Sequence, residues 1–307
     1  METRNRILER VERLLPMFED LLRGLVGAAP EPGFFDRALA FRWDRQRGPG
    51  RFEAIENPAP FELDDLLGVD EAIASLVANT EQFLAGHPYN HVLLYGERGT
   101  GKSSALRGLL TRYGDRGLRV VEILKEDLAE LPRVLAALAR AREQRFIVFC
   151  DDLSFGAGES GFREVKAAID GRLEAPPSNV CLLATSNRRH LLPESMEENR
   201  EARIDEAGEL HLGEASEEKL ALSDRFGLVL GFHGFDQATY LAIVQHYLER
   251  AEVDLAPDDV REEALAWALR RASRSGRTAR QFVTDLVGRH QLALDRAQEG
   301  PGTGSGA

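Results

Sequence analysis

Short apolar runs alternate with helical patterns through the middle of the chain. Runs that are apolar along their whole length are typical of strands in a parallel sheet whose two faces are both covered. Strands that alternate with helices therefore predict an α/β fold with a five-stranded parallel sheet. The predicted strands are 91–95, 119–124, 145–150, 179–186 and 227–232. The predicted helices around them are 69–85, one starting at 102, 127–142 and 160–171.

The two ends of the chain carry helical periodicity without strands. Apolar residues recur at helical spacing over 236–250, 257–272 and 277–296, which predicts a C-terminal helical lid. Residues 1–29 predict an N-terminal helical appendage, and 34–60, broken by glycine and proline, indicates an irregular connector. We expect an N-terminal segment with its connector, an α/β core, the lid and a flexible tail. Their bounds are 1–60, 61–235, 236–297 and 298–307.

An acidic stretch interrupts the alternation between the fourth and fifth predicted strands. Between 190 and 220, ten acidic residues stand against three basic ones. Such a stretch is either a solvated excursion from the core or a surface that docks a partner. The sequence leaves both interpretations open.

Composition and charge narrow the class of protein. The chain has 43% hydrophobic and 29% charged residues, which is ordinary for a globular protein. Its net charge of −12 disfavours binding of nucleic acid through the overall field, although a local basic patch stays possible. Cys150 and Cys181 lack the spacing of a zinc site. With no signal peptide visible and no long apolar run, we expect a cytoplasmic protein that does not enter the membrane.

A phosphate-binding pattern follows the first predicted strand. Residues 96–103 match GxxxxGK[ST] and lie between a strand and a helix, as this motif requires. Glycines let the backbone turn so that its N–H groups face phosphate oxygens at a helix N-terminus. The lysine would bring charge to the β- and γ-phosphates of ATP, and the serine hydroxyl would bind Mg²⁺. The predicted nucleotide-binding residues are Gly96, Glu97, Arg98, Gly99, Thr100, Gly101, Lys102, Ser103 and Ser104.

Polar residues end the third and fourth predicted strands. Asp151 follows the third strand and is assigned to Mg²⁺ together with Ser103, since a P-loop protein needs a carboxylate at a neighbouring strand end. Asp152 either polarises the attacking water or caps a turn, and in the second case Glu159 is the nearest alternative base. Asn187 ends the fourth strand and either orients that water or is a turn residue.

Two arginines complete the candidate catalytic set. Arg225 precedes the fifth predicted strand and is either an arginine finger or a surface residue that pairs with Asp224 or the acidic stretch. Arg277 opens the last predicted helix, and Arg280 lies one turn further along. For both lid arginines the alternative is solvation or pairing with neighbouring carboxylates.

The order of these motifs resembles that of the AAA+ ATPases over about 61–297. Longer stretches resemble more closely a bacterial group of predicted ATPases catalogued as domain of unknown function 815. Those stretches are 89–96, 149–155, 184–193 and 222–228, with a further likeness near 41–43.

The resemblance implies a role for each candidate residue. Lys102 and Ser103 would be the P-loop pair, and Asp151 and Asp152 the acidic pair, although the superfamily more often has glutamate where Asp152 stands. The remaining implied roles are Asn187 as first sensor, Arg225 as finger, Arg277 or less favourably Arg280 as second sensor, and 66–70 as a seat for adenine.

We therefore expect an ATPase that uses ATP and Mg²⁺, forms a homo-oligomeric ring and does conformational work on an unidentified macromolecular client. Three alternatives remain. The shorter side chain of Asp152 favours a slowly hydrolysing ATP-gated switch. A DNA-associated loader is disfavoured by the net charge of −12, and a small-molecule kinase by the separate lid and by Arg225.

Overall fold

The fold is described from a computed structural model. The described residues are 30–45, 50–153, 161–171, 175–187, 203–204, 210–211, 223–253 and 255–298. The predicted N-terminal helices at 1–29, most of the acidic stretch, Glu159 and the tail from 299 onward lie outside them.

A seven-stranded mixed sheet forms the centre of the protein. Its first two strands are antiparallel to each other, and all other neighbouring strands are parallel. From edge to edge the strands are β2 (Arg51–Ile55), β1 (Ala40–Asp44), β4 (Leu118–Glu122), β5 (Arg145–Cys150), β6 (Val180–Ser186), β3 (Val92–Gly96) and β9 (Leu228–Phe232). Two further strands, β7 (Arg203–Ile204) and β8 (Leu210–His211), pair with each other within the acidic stretch.

The prediction of a five-stranded, purely parallel sheet is wrong. Each of the five apolar runs does form a strand, but β1 and β2 add a hairpin where we predicted an irregular connector. The hairpin joins the sheet because β1 runs beside β4, with Phe41 opposite Val121. Phe41 and Trp43 are buried, and Arg42 between them donates from Nε to Glu122 Oε2 at 2.6 Å.

Aromatic side chains fasten the hairpin to the rest of the core. The ring of Phe35 lies 5.0 Å from that of Phe41 and 4.8 Å from that of Phe146 on β5, measured between centroids. Phe52 on β2 packs against Phe35 and Trp43. Edge-to-face pairs at such distances contribute beyond the area they bury. The hairpin is therefore part of the main core.

Helices cover both faces of the sheet, as the continuous apolar strands predicted. On one face lie α1 (Asp70–Leu84) and α2 (Lys102–Tyr113). On the other lie α3 (Leu131–Leu138) and α4 (Gly161–Asp170). Short 3₁₀ helices are Phe34–Asp36, Leu63–Asp65, Gly114–Arg116 and Lys125–Glu130, the last taking the first turns of the helix predicted at 127–142. Within the described part of the chain, none of the helices has both the length and the apolar character that a membrane span requires.

The lid consists of three helices with a core of their own. They are α5 (Gln237–Arg250), α6 (Pro257–Arg270) and α7 (Gly276–Gln298). Tyr240 and Phe282 are fully buried among them, and Tyr240 Oη donates to the Ala264 carbonyl at 3.1 Å. Asp236 caps α5 by accepting from the Thr239 N–H at 2.7 Å. The lid thus begins directly after β9, the edge strand beside β3.

Shortening a buried side chain of the hairpin tests how much the hairpin contributes to the stability of the core. Phe41→Ala should lower the free energy of unfolding by about 3–5 kcal/mol, because it empties a fully buried site between rings. The matched change Leu269→Ala, at a side chain that is 81% exposed, should alter it by no more than about 0.5 kcal/mol. Denaturant unfolding followed by circular dichroism measures both. Equal effects of the two changes would contradict the packing described here.

Candidate nucleotide-binding site

A cleft of about 380 Å³ opens at the carboxyl ends of β3, β5 and β6. Parallel strands bring their carboxyl ends to one edge of a sheet, and in open α/β folds ligands bind there. The cleft is lined by the P-loop, by the residues that follow β5 and β6, and by the lid helices α5 and α7. It therefore gathers polar groups from distant parts of the chain.

Two positions of the P-loop require glycine, because their backbone conformation and their close neighbours leave no room for a side chain. Gly96 and Gly99 have φ values of 136° and 79°, which side chains other than glycine rarely adopt. A Cβ on Gly96 would lie 1.9 Å from the Phe232 carbonyl oxygen, and one on Gly99 would lie 2.8 Å from Ser275 Oγ. The loop is held between β9 on one side and the lid on the other.

Lys102 lies inside the P-loop. Its Nζ donates to the carbonyl oxygens of Gly96 at 2.8 Å and Glu97 at 2.7 Å. Burial lowers the pKa of the Lys102 ammonium, and the carboxylates of Asp151 and Asp152 oppose that shift. The ammonium is thus surrounded by backbone oxygens and faces two acidic residues across the cleft.

Ser103 and Asp151 have the spacing of two ligands to one Mg²⁺ ion. Ser103 Oγ donates to Asp151 Oδ1 at 2.9 Å. Oxygen ligands lie about 2.0–2.1 Å from Mg²⁺ in octahedral geometry, so neighbouring ligands stand roughly 2.9 Å apart. Within the described residues, no three or more His, Cys, Asp or Glu side chains are grouped to hold a metal by themselves. The pair therefore fits an ion that takes its other ligands from water and phosphate.

Asp152 adopts a conformation that is unusual for a residue other than glycine. Its φ is 51°, in the left-handed region. Its N–H donates to Thr185 Oγ1 at 2.9 Å, and its carboxylate accepts from Asn187 Nδ2 at 2.5 Å. Residues held in such conformations cluster at functional sites. Asp152 does stand in a turn, but its side chain lines the cleft and contacts the candidate sensor.

Asn187 links the acidic pair to the P-loop. Its Nδ2 contacts Asp152, and its Oδ1 lies 3.4 Å from Lys102 Nζ. Hydrogen bonds thus run from Ser103 to Asp151 and from Asp152 through Asn187 to Lys102. The structure brings together all five of these predicted residues.

Both lid arginines line the cleft. The Arg277 N–H donates to the Gly99 carbonyl at 3.2 Å, so the start of α7 touches the P-loop directly. Burial lowers the pKa of Lys102, and the charge of Arg277 adds to that effect. Arg277 therefore meets the P-loop through its backbone and acts on Lys102 through its charge.

The cleft has an apolar end that lies beside the P-loop, since a Cβ on Gly101 would stand 2.5 Å from Leu66 Cδ2. Leu66 and Leu67, from the stretch predicted to seat adenine, line it together with Ile243 and Tyr247 of the lid. Next to them, Asp65 Oδ1 lies 2.8 Å from His246 Nε2 and 2.6 Å from Arg250 Nη2. The core and the lid are thus tied together beside this apolar end as well as at the P-loop.

Arg225 stands apart from the other candidate residues. It does not line the cleft, and its Nε donates to Asp170 Oδ2 at 2.6 Å. Its side chain is 25% exposed. Asp170, the last residue of α4, is a partner of Arg225 that the sequence did not suggest.

Sequence reasoning missed Thr185, which the structure adds to the site. Thr185 is 1% exposed, and its Oγ1 donates to Asp151 Oδ1 at 2.5 Å. The available signal was a pair of hydroxyl residues, Thr185 and Ser186, at the end of an apolar strand and directly before Asn187. A threonine within a strand belongs to no recognised motif. Its contact with Asp151 depends on the pairing of β5 with β6, which the sequence does not reveal.

The comparisons agree with this architecture. A family model described as "Protein of unknown function (DUF815)" matches residues 36–290. The chain is similar to the RuvB Holliday junction branch migration motor of Thermotoga maritima, with a TM-score of 0.50 and 17% identity over 77% of this chain and 67% of that chain. A proline-to-glycine mutant of that protein gives a TM-score of 0.51 and 18% identity over 77% and 68%. No curated protein matches the sequence. The family match confirms the expected DUF815 family, and the structural likeness confirms an α/β fold similar to that of RuvB.

The position of Lys102 generates a direct test. Lys102→Ala should weaken binding of a fluorescent ATP analogue about 10- to 100-fold, because it removes a charged donor from the loop that would hold the phosphates. The thermal unfolding midpoint should stay close to that of the parent, since the ammonium contacts loop carbonyls and not the apolar core. Lys125→Ala, a lysine outside the cleft, is the matched control and should bind like the parent. Unchanged affinity in folded Lys102→Ala would refute a phosphate site at this loop.

Proposed function

This chain belongs to the DUF815 family, and from that premise and the geometry of the cleft we propose that it is a Mg²⁺-dependent ATPase of the AAA+ type. The observation that carries the proposal is the convergence of Lys102, Ser103, Asp151, Asp152 and Asn187 at one sheet edge beneath the lid. Phosphoryl transfer requires this combination: donors for the phosphates, oxygen ligands for the metal, and a base beside them.

Each part of the cleft has a task in hydrolysis. The P-loop N–H groups and Lys102 bind the phosphates, and the apolar end formed by Leu66, Ile243 and Tyr247 binds the base. Ser103 and Asp151 would hold Mg²⁺, which would offset negative charge on the phosphates. Asn187 would orient a water molecule, and Asp152 would accept its proton as the water oxygen bonds to the γ-phosphorus. The bond from that phosphorus to the ADP oxygen breaks in the same step, which releases ADP and phosphate.

The contacts between lid and core support a conformational cycle. Arg277 of the lid contacts the P-loop, and His246 and Arg250 of the lid contact Asp65 of the core. Cleavage of the γ-phosphate changes the charge beside Arg277 and with it the free energy of the closed arrangement. Repeated closing and opening of the lid is the motion that would act on a macromolecular client.

We propose that Arg225 completes the site of a neighbouring subunit. It does not line its own cleft, and its Nε donates to Asp170, so we assign it to the cleft of a second subunit. A head-to-tail contact that repeats forms a ring when its rotation closes. Such a ring would set the arginine of one copy against the phosphates of the next, where it offsets transition-state charge.

A slowly hydrolysing ATP-gated switch is the second candidate. The observation that favours it is the short contact of 2.5 Å between Asp152 and Asn187, which occupies the carboxylate of the candidate base. Turnover per subunit at saturating ATP separates a motor from a switch. A nucleic-acid client is a weaker candidate, since the likeness to RuvB is one of fold and the net charge is −12. Binding that falls steeply with salt would support it.

Substitutions at Asp151 and Asp152 should impair different steps of the reaction. Asp152→Asn should leave affinity for Mg·ATP nearly unchanged and slow turnover about 10²- to 10⁴-fold, because it removes the proton acceptor. Asp151→Asn should instead weaken Mg²⁺-dependent binding, because it removes a metal ligand. Affinity from calorimetry and turnover from phosphate release distinguish the two. Parent-like turnover of Asp152→Asn would assign Asp152 to the turn alone and direct the search for the base to Glu159.

Arg225 gives a test of shared sites. Arg225→Ala should bind ATP nearly as well as the parent and lose turnover, where arginine fingers contribute on the order of 10³–10⁵ in rate. Mixing it with Lys102→Ala should restore activity, because some interfaces then pair an intact P-loop with an intact arginine. Specific activity of the parent should rise with protein concentration and level off as rings form.

Two results would argue against the shared site. Activity of the parent that does not depend on concentration, together with no recovery on mixing, would leave Arg225 as a surface residue paired with Asp170. Such exposed pairs contribute about 0–1 kcal/mol to stability. The chain would then act as a monomeric switch.

A further inference from the structure

One hydroxyl contacts both acidic residues of the cleft. Thr185 Oγ1 lies 2.5 Å from Asp151 Oδ1 and 2.9 Å from the backbone nitrogen of Asp152. Thr185 is 1% exposed and sits near the end of β6, where every residue is buried. A hydroxyl buried this deeply must have its hydrogen bonds satisfied, and here both bonds go to candidate catalytic residues.

Chemistry determines the direction of the two bonds. The Asp152 N–H can only donate, so Thr185 Oγ1 accepts from it. The hydroxyl proton is then directed at Asp151 Oδ1, and an ionised carboxylate can only accept. The threonine therefore acts as a donor toward the metal-binding residue and as an acceptor toward the residue beside it.

The two bonds constrain different properties of the acidic pair. The bond to Asp151 orients its carboxylate, whose Oδ1 also accepts from Ser103 Oγ at 2.9 Å. The bond from Asp152 holds its backbone at φ 51°, a conformation that costs energy for an aspartate and persists only where neighbours stabilise it. A third bond runs between the same strands, from the Leu153 N–H to the Thr185 carbonyl at 2.6 Å. Thr185 therefore restrains, through three hydrogen bonds, the turn after β5 that carries Asp151 and Asp152.

We propose that Thr185 is a positioning residue that aims Asp151 at Mg²⁺ and holds Asp152 in the left-handed conformation that turns its carboxylate toward Asn187. The proposal rests on the proposed ATPase function for its chemistry. Hydrogen-bond partners of metal ligands contribute about 10- to 100-fold to metal affinity. The same hydroxyl couples the end of β6, which also carries Asn187, to both acids.

Three variants test the proposal. Thr185→Val replaces the hydroxyl with a methyl group of similar size, Thr185→Ser keeps the hydroxyl, and Thr80→Val is the matched control. Thr80 is 4% exposed on α1, and its Oγ1 donates to the Leu76 carbonyl at 2.7 Å, outside the cleft. If Thr185→Val does not fold, Thr185→Ala removes the same hydroxyl and replaces it in the comparison.

The first readout is the Mg²⁺ dependence of nucleotide binding. We expect Thr185→Val to need about 10- to 100-fold more Mg²⁺ than the parent for half-maximal binding of an ATP analogue. Its binding in EDTA should equal that of the parent, and Thr185→Ser and Thr80→Val should follow the parent in both conditions. A Thr185→Val protein with parent-like Mg²⁺ dependence would overturn the proposal.

The second readout needs no nucleotide. Hydrogen exchange at the Asp152 amide should be slow in the parent and in Thr185→Ser, and at least about tenfold faster in Thr185→Val, because its acceptor is gone. Equal exchange in all variants would overturn the proposal independently of any activity. A parent that binds Mg·ATP without hydrolysing it would contradict the proposed ATPase alone, and both readouts would still decide the role of Thr185.

Discussion

The parallel pairing of β5 with β6 is the constraint on which the candidate site depends. Cys150 lies opposite Ala184, so the next residue of each strand, Asp151 and Thr185, stand side by side. A slip of one residue would turn every side chain of β6 to the opposite face. Both strands are buried on both faces, and such a slip would disrupt the packing of two apolar layers. The core that stabilises the sheet therefore also sets the geometry of the acidic pair.

The P-loop is held by a second close approach, between β3 and β9. The Glu97 N–H donates to the Phe232 carbonyl at 3.1 Å, and Gly96 leaves room for that oxygen. The chain continues from β9 directly into the lid, whose last helix returns to Gly99 through Arg277. Movement of the lid relative to the sheet would therefore act on the loop from both sides, which gives the proposed coupling between phosphate state and lid position a physical route.

The site residues that could be predicted are those that form a recognisable pattern with their neighbours along the chain. Lys102 and Ser103 belong to a local motif, and Asp151 and Asn187 each follow an apolar strand. Other features depend on contacts between distant segments. Phe41 and Trp43 form a strand because β1 pairs with the edge of β4, although the glycine- and proline-rich sequence that follows them indicated irregular structure. Arg225 pairs with Asp170, 55 positions away, and no local pattern points to that partner.

The sequence by itself determined the alternation of buried strands and helices, the glycine-rich loop before α2, the acidic strand end and the separate C-terminal helices. Those features follow from periodicity and from short-range steric requirements, which act between residues close together along the chain. Only the tertiary structure decided that the sheet has seven strands, that Arg277 contacts the P-loop through its backbone, and that Thr185 touches both acids. Each of these depends on which segments pack together and in what register, because hydrogen bonds and burial between remote residues are set by the three-dimensional arrangement of the whole core.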